Sequence, residues 1–262
     1  MKKITALILV FCALFQFTES AAQKVVVIGM NHVSSGPNTD GFAFVATENI
    51  PNGEIIYFTE NEYVSGTNAF DPGEAVIIYT SPGLTTGDVV FIDETSTNTY
   101  SLTCNSGSGA ICGTAAHSAT NGSFSVSTNG DGLYAYADTN DNPGDGISEI
   151  YSVLYTGSGE LPTQNGGNIP AGQSPLPDYP NAIVVDGFPD DGDINVGPDR
   201  IEYMFSPASM RDGVSKTALE NPTNYLSYVA NQALSVVPFT NLNLGGANPV
   251  ATLSVSSNMI AE

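Results

Sequence analysis

The segment Ile50-Pro51-Asn52-Gly53-Glu54-Ile55-Ile56-Tyr57-Phe58-Thr59 joins a Pro-Asn-Gly turn signal to an unbroken β-branched and aromatic run. Such a run, bounded by turn formers, reads as a strand. The same grammar repeats on both sides. Lys24–Met30 and Phe42–Thr47 precede it, the latter entered through Asp40-Gly41. Glu74–Tyr79 follows Asp71-Pro72-Gly73, and Val89–Ile92 follows Gly87-Asp88. Further runs cover Gly122–Val126, Gly132–Ala137, Glu149–Tyr155, Asn181–Val185 and Arg200–Phe205. The last begins with polar–apolar alternation, as a half-exposed strand does. Short strands with frequent turns predict an all-β, antiparallel β-sandwich rather than alternating strands and helices. One short helix is expected near 215–228. Ser215 can cap Lys216-Thr217-Ala218-Leu219-Glu220, and Pro222 stops it or opens a second turn capped by Asn221.

Composition narrows the function. The chain has 262 residues, 6 Lys+Arg against 27 Asp+Glu, and a net charge of −21. Six cations cannot build the basic face that phosphate binding needs, so no nucleic-acid partner is expected. A basic amphipathic membrane-surface helix is excluded for the same reason. Hydrophobic residues at 41%, with 12 Tyr and 12 Phe, supply a core and argue against disorder.

Residues 1–22 read as a signal peptide. Lys2 and Lys3 precede the apolar run Ile4–Phe17, which is short for a membrane span, and Ser20-Ala21-Ala22 offers small residues for cleavage before Gln23. A retained membrane anchor and a lipoprotein built on Cys12 are the competing readings of this segment. Secretion is expected, to the extracellular space or outer cell surface, with no membrane insertion after cleavage. Removal of Lys2, Lys3 and Glu19 takes the net charge to −22. Cys104 and Cys112 then remain, flanking a Gly/Ser-rich stretch, and an even pair in an oxidising compartment predicts a disulfide. The β-sandwich module is expected over 23–246, followed at 247–262 by a linker and the first strand of another domain.

Ile28-Gly29-Met30-Asn31, Asp40–Val45, Ile50–Asn61 and Gly73-Glu74 together resemble an N-terminal module of secreted multidomain proteins of Gram-negative bacteria. Asp186-Gly187-Phe188-Pro189 and the Leu219–Tyr225 stretch fit as well. The order of strand, Ile-Pro-x-Gly, strand and acidic-Asn turn is similar to lamin-tail-like, immunoglobulin-like sandwiches. Tyr63 stands where such modules usually carry Trp. The resemblance implies a sandwich on a surface protein and assigns no catalytic residue. Val250-Ala251-Thr252-Leu253-Ser254-Val255 resembles the first strand of a Calx-beta-type repeat, which implies a longer surface protein.

Two acidic loops carry the most specific chemistry. Asp138, Asn140, Asn142 and Glu149 fall at positions 1, 3, 5 and 12 of one. Asp191, Asp193, Asn195, Asp199 and Glu202 fall at positions 1, 3, 5, 9 and 12 of the other. Calcium takes several converging oxygens, so Ca2+ is the expected cofactor. Strand-like flanks exclude a helix-loop-helix hand, and Pro143 and Val196 replace the usual glycine. Solvated Asx turns are the competing reading.

Catalytic signals are thin. His32 and His117 are the two histidines, both read as surface residues, and no Gly-x-Ser-x-Gly or His-Glu-x-x-His occurs. Glu60 with Glu62 is a carboxylate pair without a defined substrate slot. Tyr63, Tyr134, Tyr136, Tyr151 and Tyr155 could form a sugar platform or face the core. The expected role is therefore a non-catalytic, extracellular module for adhesion or display, meeting a surface ligand or protein partner. The alternative is an accessory, carbohydrate-binding module of a secreted hydrolase such as a nuclease or phosphatase.

Overall fold

The computed structural model describes residues 23–31, 40–61, 63–64, 67–105, 112–118, 122–125, 130–157, 183–186, 200–228 and 234–243. The expected signal peptide, the 247–262 segment and Asp191, Asp193, Asn195 and Asp199 lie outside the described residues.

In chain order the strands are β1 (Val25–Asn31), β2 (Gly41–Ala46), β3 (Ile50–Thr59), β4 (Tyr63–Val64), β5 (Ala69–Phe70), β6 (Val76–Leu84), β7 (Val89–Ser96), β8 (Thr99–Cys104), β9 (Thr114–His117), β10 (Gly130–Ala137), β11 (Glu149–Gly157), β12 (Ile183–Asp186), β13 (Arg200–Tyr203) and β14 (Tyr225–Tyr228). They form an all-β sandwich of two six-stranded sheets, ordered β14-β13-β1-β2-β7-β8 and β12-β11-β10-β3-β6-β9, with β4-β5 as a separate hairpin. Every pairing is antiparallel except β11 with β12.

Period-two geometry sends alternate residues of β2 to opposite faces. Phe42 and Phe44 therefore share a face, and their rings lie 4.7 Å and 5.1 Å from that of Phe58 on β3 in the opposing sheet. Tyr79 on β6 meets Phe44 edge-on at 5.1 Å. These aromatic contacts, with Ile56, Ile77 and Leu154, fill the space between the sheets.

The centre of the first sheet is buried on both sides. All residues of β1 and β2 are buried, including small Gly29 and its cross-strand partner Ala43. Leu234 closes on Gly29, where a Cβ would meet its side chain at 3.2 Å. Phe239 packs on Tyr203 at 5.4 Å and on Phe205 at 5.6 Å. Its backbone N–H donates to Gly87 O at 3.0 Å. Gly87 has φ +95, and a Cβ there would strike the Phe239 carbonyl.

Several expectations change. Residues 225–228 form strand β14, so the helix is only α1 (Lys216–Leu219), followed by a 3-10 turn over Pro222–Asn224. Ser215 Oγ accepts from Ala218 N at 3.1 Å, and Asn221 Oδ1 accepts from Thr223 N at 3.0 Å, so both capping expectations hold. Tyr225 breaks the helical continuation because its ring belongs to the core and its OH reaches Leu219 O at 2.8 Å. In the Arg200–Phe205 stretch, expected to be half-exposed, Ile201, Glu202 and Tyr203 are all buried, because β13 lies between β14 and β1 and is covered by the 234–239 segment. Residues 122–125 join no sheet, yet Phe124 is buried with its ring 5.7 Å from that of Phe42.

Candidate functional site

The β10–β11 connection, Asp138–Ser148, is built from side chains that bind their own backbone. Asp138 Oδ1 accepts from Thr139 N at 2.6 Å. Asn140 Oδ1 accepts from Asn142 N at 2.7 Å, and Asn142 Oδ1 accepts from Gly144 N at 3.2 Å. Asn140 Nδ2 donates to Asp145 Oδ2 at 3.3 Å. The Asn140 and Asn142 bonds to the backbone are Asx turns, the conformation that alternating Asp and Asn favour.

The loop is tied to the β4–β5 hairpin. Phe70 N donates to Pro143 O at 2.8 Å and Ile147 N to Asn68 O at 2.9 Å. Asn68, itself at φ 51, returns a bond from Nδ2 to Ile147 O at 2.9 Å. Under this cover lies a second apolar cluster on the outer side of the second sheet. Phe70 packs on Tyr134 at 4.9 Å and on Tyr136 at 5.0 Å, and Tyr57 stacks on Tyr136 at 5.4 Å. The acidic loop thus serves as a lid on aromatic residues.

The sequence-predicted ligands divide accordingly. Asp138, Asn140 and Asn142 share the loop. Glu149 starts β11, and the charges it senses are Lys24 and Glu48. Glu202 is buried in β13 and accepts from Ser235 N. Among the described residues, no three His, Cys, Asp or Glu side chains converge as a metal-holding group. Asp138 keeps one distinctive feature: its Oδ2 is buried with no hydrogen bond. Burial pushes this carboxyl upward, Asp145 adds to the rise, and the Thr139 backbone bond opposes it.

A second group gathers at one end of the sandwich, where buried acids cluster between the sheets. Glu60 Oε1 accepts from Ser125 N at 2.8 Å, and Glu94 Oε1 accepts from Asn98 N at 2.8 Å. Glu94 N donates to Asp40 O at 2.9 Å. Tyr100 is raised by burial first, then by the charges of Glu94 and Glu60. Its OH lies 3.5 Å from Nδ1 of His117. His117, read as a surface residue, ends strand β9 and is half-buried. The partner expected for Glu60, Glu62, lies outside the described residues. The acid that joins Glu60 is Glu94, which follows the apolar run of β7. Each of these two carboxylates holds a turn through a backbone N–H.

Beside Glu60, buried Asn61 organises a corner. Its Oδ1 accepts from Gly73 N at 2.9 Å and Glu74 N at 2.8 Å, and its Nδ2 donates to Thr59 Oγ1 at 2.6 Å. At the opposite end Lys24 pairs with Glu54. The Glu54 bond raises the Lys24 ammonium, burial opposes it, and Tyr151 and Glu48 add smaller increases.

Of the tyrosines considered as a sugar platform, Tyr134, Tyr136, Tyr151 and Tyr155 are buried. Tyr63 is half-buried and donates to Asn68 Oδ1 at 2.8 Å.

Cys104 and Cys112 form the expected disulfide, with Cα atoms 5.6 Å apart. Cys104 ends β8, the edge of the first sheet, and Cys112 lies just before β9, the edge of the second. The bond staples the two edges together. No family model, no curated protein and no solved structure matches the chain.

Proposed function

We propose that the chain is a non-catalytic extracellular module of a larger secreted or surface protein, serving adhesion or display. The observation that carries this reading is the Cys104–Cys112 bond joining opposing sheet edges. Disulfides persist in oxidising compartments, which agrees with the leader-like first 22 residues. The buried acids and tyrosines support it too, because they are engaged in holding turns and core. A net charge of −21 keeps a strand-rich surface apart from its own copies. The resemblance to lamin-tail-like sandwiches belongs to the same proposal.

Deletion of residues 23–246 from the full-length protein is expected to reduce attachment of the producing cell to surfaces while leaving export intact. Unchanged attachment, or catalytic turnover by the purified chain, overturns the reading. Calcium stays within the proposal through Asp138, whose Oδ2 is buried without a hydrogen bond. A rise in melting temperature with added calcium supports it by mass action on the native state. Identical melting in calcium and in chelator removes it.

A further inference from the structure

If the chain is secreted, as proposed above, cleavage after Ser20-Ala21-Ala22 leaves Gln23 as its first residue, and the role assigned to Gln23 rests on that reading. Gln23 docks on the sandwich without a spacer. Thr47 N donates to Lys24 O at 2.9 Å, the Thr47 hydroxyl donates to Gln23 O, and β1 begins at Val25. The Gln23 carboxamide is turned inward. Both its nitrogen and its oxygen are buried, and the group lies against the Glu220 carboxyl. Glu220 is already paired with Lys216 at 3.4 Å, so it is not reserved as a counter-ion for an ammonium at residue 23.

We propose that Gln23 is a modification site at which the new amino terminus closes on its own side chain to give pyroglutamate. The lone pair of the neutral α-amine attacks Cδ. The N–Cδ bond forms, the Cδ–Nε2 bond breaks, a proton passes from the α-nitrogen to the departing nitrogen, and ammonia leaves. No oxidant or reductant enters. An ordinary α-amino group has a pKa of about 7.7–8.0, so a reactive neutral fraction exists near neutral pH. The nucleophile and its target sit in one residue, which makes the step intramolecular.

Docking favours the product. A half-buried ammonium is costly without a dedicated partner, and the ring removes it. The Gln23 backbone carbonyl, which the Thr47 hydroxyl uses, is retained. The product is a sealed amino terminus that aminopeptidases cannot start on, which suits a module outside the cell.

The test is intact mass of the exported full chain, with amine-reactive labelling of its terminus. A mass starting at residue 23 and lower by one ammonia, with an unlabelled terminus, supports the proposal. Gln23→Ala is then expected to restore labelling and abolish the ammonia loss. A mass starting at 23 with a labelled terminus overturns cyclisation and leaves secretion standing. A chain that keeps residues 1–22, or starts elsewhere, overturns both. Ammonia loss that persists in Gln23→Ala places the reaction at another amide and overturns the assignment.

Discussion

The backbone N–H of Val27 donates to Ser152 Oγ at 3.0 Å, a buried hydrogen bond that crosses from one sheet to the other. Its cause is a pair of irregularities. The β1–β2 register slips between Val27 and Gly29, and the β10–β11 register slips between Ala135 and Tyr136, whose partners are Ser152 and Ile150. A bulge leaves a backbone group outside the ladder, and here a hydroxyl from the opposing sheet satisfies one.

Ser152→Ala removes that acceptor and leaves the Val27 N–H buried. The expected loss is about 1–3 kcal/mol, since an orphaned buried donor forfeits its full desolvation cost. Urea unfolding measures it, and a loss below a few tenths of a kcal/mol would contradict the bond's role.

The Cys104–Cys112 bond closes a short ring, with a sequence separation of 8. Loop-closure entropy gives about 2–3 kcal/mol for such a ring. The Cys104→Ser, Cys112→Ser double variant is expected to lose about that much in chemical unfolding. The native protein should react with no thiol reagent until it is reduced. A free thiol in the exported protein would refute the pairing.

Asn61→Asp keeps the shape but replaces the amide donors facing Thr59 Oγ1 and the Glu74 and Ala75 carbonyls. It also buries a charge at a site with zero exposure. A destabilisation of about 2–4 kcal/mol is expected, large for a one-atom change. Hydrogen exchange at Gly73 and Glu74, whose N–H groups bind Asn61 Oδ1, locates the damage. Unchanged stability would show the corner to be held by other means.

Asp93, Asp138, Glu149 and Glu220 all have carboxyl pKa values raised first by burial. Each binds its proton more tightly when folded than when unfolded. Between the unfolded and folded values the native state holds more protons, so stability rises as pH falls. The gain is complete below the unfolded value of about 4. Asp212 runs the other way: lowered by Asn241 and Thr240, it costs stability only as pH falls through its own lowered value. The melting temperature is therefore expected to increase as pH is lowered from 7 toward about 4 at constant ionic strength. Asp138→Asn should raise it at pH 7 and flatten the slope. A melting temperature that falls over this interval would refute the assignment.

Strands rich in β-branched and aromatic residues were legible because burial and propensity agree there, as in Val89–Ile92 and Ile56–Thr59. β9 was not, because Thr114-Ala115-Ala116-His117 has little side-chain signal and is a strand by virtue of pairing with β6. β14 was hidden by the helix former and cap signals just before it. The disulfide followed from local spacing and compartment. The Glu60–Glu94–Tyr100–His117 group could not, since it joins β7, β8, β9 and the end of β3 only through tertiary contact. The acidic spacing of 138–149 was visible, but not that its oxygens would face inward to their own backbone. Asx turns and calcium ligation draw on the same residues, and sequence spacing does not separate them.

The staple between β8 and β9 gives the sandwich a spine, as on a bound book. Covers joined at the spine part from the fore-edge, which here is the side formed by β12 and β14. Thermal breathing is then directional: amides at that side exchange first, and the protection of the Val27 N–H marks how far inward the opening has travelled.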